Sequence, residues 1–300
     1  SMMPFSAQDM GFFDTIGRGW KMSKLSMAVV KKDPELMVYV FLSGVMALAA
    51  IVAMGLPEFL NMGWTSTEDG KMTPAYMGFL FGGYMGISII VTFWNSAIVA
   101  NAYIRLNGGD PKFIDGFSAA FKRIHLIIMW GIIAGTVGLL LKMLKQAARE
   151  QKGGGAVLVM ILQIIGATIW WIMSFFVIPL MVIEGIGVGE SMKKSKQMFM
   201  KTWGENVTSG MGIGIITAFF GIIIVAISVV LVMALGPLWY VGAAIGAIAI
   251  AILIMWSSAA EQVAVAALYI FSTTGKMPGL YQEMGMNDFK MQTGPASQRL

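Results

Sequence analysis

An ionisable side chain inside an apolar run is costly to keep there, and it usually faces a partner or a water-filled space. Glu261 is the clearest such residue in this chain, with Gln262, Ser257 and Ser258 beside it. Two other apolar runs carry polar residues at matching depth: Asn95, Ser96 and Asn101 in one, and Ser174, Pro179 and Glu184 in the other. Carboxylate, amide and hydroxyl groups gathered in that way could bind a solute, an ion or a lipid headgroup, with Glu261 as the charged member. The competing reading is hydrogen bonding between helices, with Glu261 reaching outward to the interface.

Cations form the second group able to bind something. They sit in short segments whose apolar residues recur at spacings of three and four, one face of a helix. Arg18, Lys21 and Lys24 belong to the first segment, Lys122 and Arg123 to the second, and Lys193, Lys194, Lys196 and Lys201 to the third. Such segments can hold anionic lipid headgroups at about 1 kcal/mol per basic residue near the surface. They can equally lie flat, fill the interface and set topology.

Other chemistry finds little support. Cys is absent and His125 is the single histidine, so thiolate chemistry and a two-histidine metal motif are excluded. Ser191 and Lys194 match a serine–lysine spacing with no supporting motif. Gly108-Gly109-Asp110 reads as a turn before a helix, not a phosphate loop. The 27 Met residues are scattered and read as packing side chains. No metal or cofactor is expected, and an enzyme is the least favoured class. The basic balance belongs to a membrane face and needs no nucleic acid.

The elements that must position these residues follow from composition. Apolar residues make up 57% of the chain and charged residues 12%, about half the charge of a soluble domain. Runs near 35–57, 76–104, 125–144, 155–183, 208–235 and 238–272 each reach the ~20 residues that cross a bilayer as a helix. The expectation is an all-α polytopic membrane protein with six transmembrane helices. Asp33-Pro34 and Asp110-Pro111 read as helix caps followed by a first-turn proline. Counted from residue 238, Glu261 lies ~35 Å along its helix, near the inner edge of the hydrocarbon. Pro179 should bend the fourth span.

Lys and Arg concentrate before, between and after the hairpins, which puts both termini in the cytoplasm of a multi-pass cell-membrane protein. Lys142, Lys145, Arg149 and Lys152 run against that rule. Trp64, Tyr76, Trp239 and Tyr240 are expected in the outer aromatic belt. The basic segments and hairpins repeat as parallel units over 8–104, 110–184 and 189–272, followed by an irregular, partly mobile cytoplasmic tail at 273–300. Glycines four apart, at 82/86, 131/135, 210/214 and 242/246, suggest close helix packing. Membrane lipids with anionic headgroups are the expected partners. A homo-oligomer or a protein partner remains open.

Several local sequences carry a resemblance. They are Lys31-Lys32-Asp33-Pro34-Glu35-Leu36, Asn107-Gly108-Gly109-Asp110-Pro111, Phe175-Phe176-Val177-Ile178-Pro179, Met200-Lys201-Thr202-Trp203-Gly204-Glu205-Asn206, and Ser257-Ser258 through Ala267-Leu268-Tyr269-Ile270. With them the chain resembles an uncharacterised family of prokaryotic integral membrane proteins, a domain of unknown function. It is distantly similar to the membrane domain of some glycerophosphodiester phosphodiesterases. The resemblance implies fold and topology and carries over no catalytic role. Two functional classes follow: a transporter or channel-like protein with a cytoplasm-facing polar pocket, or a non-catalytic membrane-organising, lipid- or partner-binding protein.

Overall fold

The computed structural model describes residues 7–203 and 212–287, with side chains described over 20–202 and 218–287. Among the described residues regular structure is helical, apart from one isolated bridge between Ser66 and Met72. The helices are α1 (Ala7–Lys32), α2 (Glu35–Phe59), α3 (Pro74–Leu106), α4 (Phe113–Lys122), α5 (Ile124–Glu150), α6 (Gly154–Ser174), α7 (Val177–Pro179), α8 (Val188–Trp203), α9 (Gly212–Leu235), α10 (Trp239–Thr274) and α11 (Gly279–Glu283). A π-helical turn, Leu180–Glu184, follows α7, and a 3-10 turn, Gly236–Leu238, joins α9 to α10.

Among the described residues, five stretches are long and apolar enough to cross a membrane: Glu35–Phe59, Pro74–Leu106, Ile124–Glu150, Gly154–Glu184 and Ala218–Thr274. The last contains most of α9 together with α10. A Cβ placed on Gly242 would meet Leu231 and Val232, and one placed on Gly246 would meet Ser228. Numbers therefore rise on α10 as they fall on α9, and the two form an antiparallel hairpin.

Length and burial divide the longest helices. A bilayer needs ~20 residues, whereas α3 has 33 and α10 has 36. On α10, Ile245, Ile248, Ile252 and Ile254 are exposed, and from Ser257 onward most residues are buried. On α3, Met77, Phe79, Phe81 and Val91 are exposed, and the stretch from Ala97 to Ala102 is buried. The apolar runs read as whole spans thus end in protein core. Hydropathy could not separate the two parts, because lipid and a packed interior select the same side chains.

The chain forms two compact units. The first comprises Ser1–Val38, Asn101–Phe113 and Gln197–Leu300. In it α1 packs on α10 and α9. Met22, Leu25, Val29 and Val30 of α1 are buried, and Trp256 Nε1 donates to the Met27 carbonyl at 3.0 Å. After Thr274 the described residues are turns and irregular chain around one short helix, α11. Gly275 closes α10 in the left-handed conformation, and α11 places Tyr281 in full burial, its hydroxyl 2.9 Å from Ser26 Oγ. Met277 and Met286 are buried with it. Between Thr274 and Asn287 the glycines and prolines mark turns between apolar anchors. Residues 288–300 lie outside the described residues.

The second unit comprises Tyr39–Ala100 and Ile114–Lys196. Leu126, Trp130, Val177, Met181 and Val188 form a core, with Trp170 and Met192 against it. Trp130 and Trp170 stack at 5.2 Å. Gly131 and Gly135 let α5 approach α3: a Cβ on Gly131 would lie 2.7 Å from Ile89 Cα, and Ser88 Oγ donates to the Gly131 carbonyl at 2.6 Å. Phe117 carries α4 onto Phe93 and Trp94 of α3. Tyr76, expected in the aromatic belt, is buried against Trp64 and Phe79, its hydroxyl on the Met54 carbonyl.

Candidate functional site

The polar residues singled out above are shared between the units. In the first unit Ser257 is buried, Ser258 and Gln262 are partly buried, and the Glu261 side chain is exposed. Glu261 lies seven residues beyond Ile254, ~10 Å along the helix from the last large exposed aliphatic side chain of α10. Asn101 is fully buried and its amide donates to the Lys112 carbonyl at 3.0 Å, holding the loop before α4. In the second unit Asn95 is partly buried. Ser96 Oγ donates to the Thr92 carbonyl at 2.7 Å, and Ser174 Oγ to the Trp170 carbonyl at 2.6 Å. Both hydroxyls are thereby spent on the carbonyl one turn back, a common way to lodge Ser in an apolar helix.

The aspartates of both Asp-Pro pairs accept from one arginine. Arg105, at the end of α3, donates from Nε and Nη2 to the buried Asp33 carboxylate at 2.7 and 2.6 Å. Its Nη2 also reaches Asp110 at 2.8 Å. A planar guanidinium with five N–H groups can serve two carboxylates at once. It ties the α1–α2 corner to the segment before α4.

The cations are placed unequally. Lys21, Lys24, Lys122, Lys193, Lys196 and Lys201 are exposed. Lys21 Nζ donates to the Gly285 carbonyl at 3.1 Å, and Lys24 stands over the Trp20 ring. Lys194 is paired with Glu184. Arg123 is partly buried, its guanidinium packed against Gly185, where a Cβ would meet it at 2.6 Å. The Arg18 side chain lies outside the described residues.

The arrangement around α8 is the most constructed part of the second unit. Val188, Ser191 and Ser195 are buried, while Lys193 and Lys196 of the same helix are exposed. The Ser195 hydroxyl accepts from the Phe176 N–H at 3.0 Å and donates to the Ile172 carbonyl at 3.1 Å. An uninterrupted helix would join Phe176 N–H to Ile172 C=O directly. A side chain from α8 is therefore inserted into the backbone ladder where α6 ends, a recognised cause of a break. Pro179 was the visible signal for a bend. Ser195 was missed, because nothing in its local sequence says that a distant helix would need its hydroxyl.

No group of three or more His, Cys, Asp or Glu side chains able to hold a metal occurs among the described residues. No curated protein matches the chain. A family model described as a family of unknown function, DUF6159, matches residues 74–279. These span the helices from α3 to α10, the broken fourth apolar run and α8 included. The chain therefore belongs to the DUF6159 family, whose function is unknown.

Proposed function

We propose that this integral membrane protein is a non-catalytic lipid-binding or membrane-organising protein. Its six crossings are the apolar parts of α2, α3, α5, α6, α9 and α10, with the α9–α10 hairpin counted as two. Both termini and the helices α1, α4 and α8 face the cytoplasm, where the basic side chains meet anionic headgroups. The observation that carries this reading is α8: Ser191, Ser195 and Phe199 are sealed into the fold while Lys193 and Lys196 stand exposed. An amphipathic helix with this face buried presents its charges on the other face.

The test is a Lys193→Gln/Lys196→Gln variant whose affinity for phosphatidylglycerol and phosphatidylcholine is measured by native mass spectrometry. Two charges at about 1 kcal/mol each correspond to a loss of roughly 30-fold for the anionic lipid, with phosphatidylcholine unaffected. An unaltered preference for phosphatidylglycerol would rule the reading out.

A solute pathway is the second reading, favoured by the break after Ser174, since discontinuous helices line the sites of many transporters. It requires Ser174→Cys to react with a hydrophilic thiol reagent in intact membranes. A protected residue 174 would exclude it.

A further inference from the structure

The break in the fourth apolar run is fastened to α8 at both of its ends. Ser195 is fully buried and occupies the ladder position between Ile172 and Phe176. One turn further on, Pro179 has no N–H to donate, and the chain continues as a π-helical turn to Glu184. Lys194, the neighbour of Ser195, pairs with Glu184 at the end of that turn. Gly185 then takes a left-handed conformation with φ 68°, against the Arg123 guanidinium. Val188 and Met192 of α8 complete the attachment by packing on Val177, Met181 and Trp130.

Hydrogen-bond geometry permits a second backbone arrangement of the same residues beside the one observed. In one, the Ser195 hydroxyl bridges Phe176 and Ile172 and the helix is broken. In the other, α8 moves away, Phe176 N–H bonds the Ile172 carbonyl, and α6 gains a turn. The Phe176 N–H and the Ile172 carbonyl keep a partner in either, so the backbone ladder does not decide between them; the packing of Val188 and Met192 and the Lys194–Glu184 pair set the balance, and a surface interaction acts on it. The exposed Lys193 and Lys196 flank Ser195 on α8. Attraction of these lysines to an anionic surface acts on the helix that carries the bridging hydroxyl.

We infer that α8 is a membrane-charge sensor that sets the bend of the fourth span through Ser195, anionic lipid headgroups holding the broken form. This rests on the lipid reading above and adds a regulated conformational change to it.

The absence of Cys allows paired spin labels at Val157→Cys on α6 and Gly189→Cys on α8. Val157 is exposed, and nothing lies within 4 Å of a Cβ on Gly189. The distance distribution is measured on the full chain in phosphatidylcholine vesicles with and without phosphatidylglycerol. The expected result is one narrow population with phosphatidylglycerol and a second, displaced by several ångström, without it. Ser195→Ala shows the displaced population in both mixtures. Lys193→Gln/Lys196→Gln shows it even with phosphatidylglycerol.

Identical distributions for Ser195→Ala and the unsubstituted pair in both mixtures would overturn the inference. So would an unsubstituted pair indifferent to phosphatidylglycerol. In that second case native mass spectrometry separates the failures. A retained preference for phosphatidylglycerol removes the coupling alone, and a lost preference removes the lipid reading with it.

Discussion

Asp33 and Arg105 form a two-pronged ion pair, Nε to Oδ2 at 2.7 Å and Nη2 to Oδ1 at 2.6 Å, with the aspartate side chain 4% exposed. Removing the guanidinium strands a buried carboxylate, which costs about 3–5 kcal/mol in comparable sites. Arg105→Ala is expected near the lower figure, because the arginine itself is partly exposed. Arg105→Lys keeps the charge but not the fork, and should fall between Arg105→Ala and the unsubstituted protein. Asp110→Ala removes only the 84%-exposed partner and should cost at most about 1 kcal/mol. Thermal unfolding of the three variants in one detergent orders them.

The same cluster shows what could be read in advance. Asp33-Pro34 and Asp110-Pro111 have the local signature of helix caps, and α2 does begin at Glu35. The α4 helix starts later, at Phe113. What local spacing could not reveal is that Arg105 sits between the two carboxylates, a pairing created by packing 72 residues apart. Periodicity and hydropathy were legible because they follow from the helix and the solvent. Ser195 and Arg105 were not, because their roles depend on which helices meet.

The tail makes a pH-dependent prediction. Burial pushes the Tyr281 phenol above its ordinary value of about 10, and the hydrogen bond with Ser26 offsets part of that rise. The unfolded chain therefore loses this proton at a lower pH than the folded chain. The contribution is present in full below about pH 10 and is lost as pH rises above it. Tyr281→Phe should cost about 1 kcal/mol at neutral pH, through the missing hydrogen bond. It should also flatten the decline in stability above pH 10, read as melting temperature against pH. An equally steep alkaline decline in the phenylalanine variant would contradict the assignment.

Glycine spacing gives a contrast within one motif. A Cβ on Gly131 would lie 2.6 Å from Ile89 Cγ1 and 2.7 Å from Ile89 Cα, so Gly131→Ala must separate α5 from α3. Its expected cost is about 1–3 kcal/mol, as for other overpacked contacts. At Gly82 and Gly86 nothing lies within 4 Å, and alanine there should be neutral or stabilising by up to about 1 kcal/mol from helix propensity. The contact that the 82/86 spacing suggested is made instead by Gly83, against Met54. On α10, Gly242 and Gly246 do face α9. The 210/214 pair lies outside the residues with described side chains. Melting temperatures of single alanine variants at positions 82, 86 and 131 test the distinction.

Where α10 leaves the hydrocarbon decides what Glu261 can do. The exposed aliphatic series on this helix ends at Ile254, and Glu261 is exposed beyond it. A crossing of ~20 residues starting near Trp239 also ends close to residue 258. Glu261 is thus expected in water or among headgroups, where a carboxylate needs no buried partner. A cysteine at Glu261 should react quickly with a membrane-impermeant maleimide in inside-out vesicles. A cysteine at Ile252, nine residues earlier and among the exposed aliphatic side chains, should not. Slow reaction at both positions would place the carboxylate inside the hydrocarbon and favour an enclosed polar pocket. Fast reaction at 261 in right-side-out vesicles alone would reverse the orientation of the whole protein.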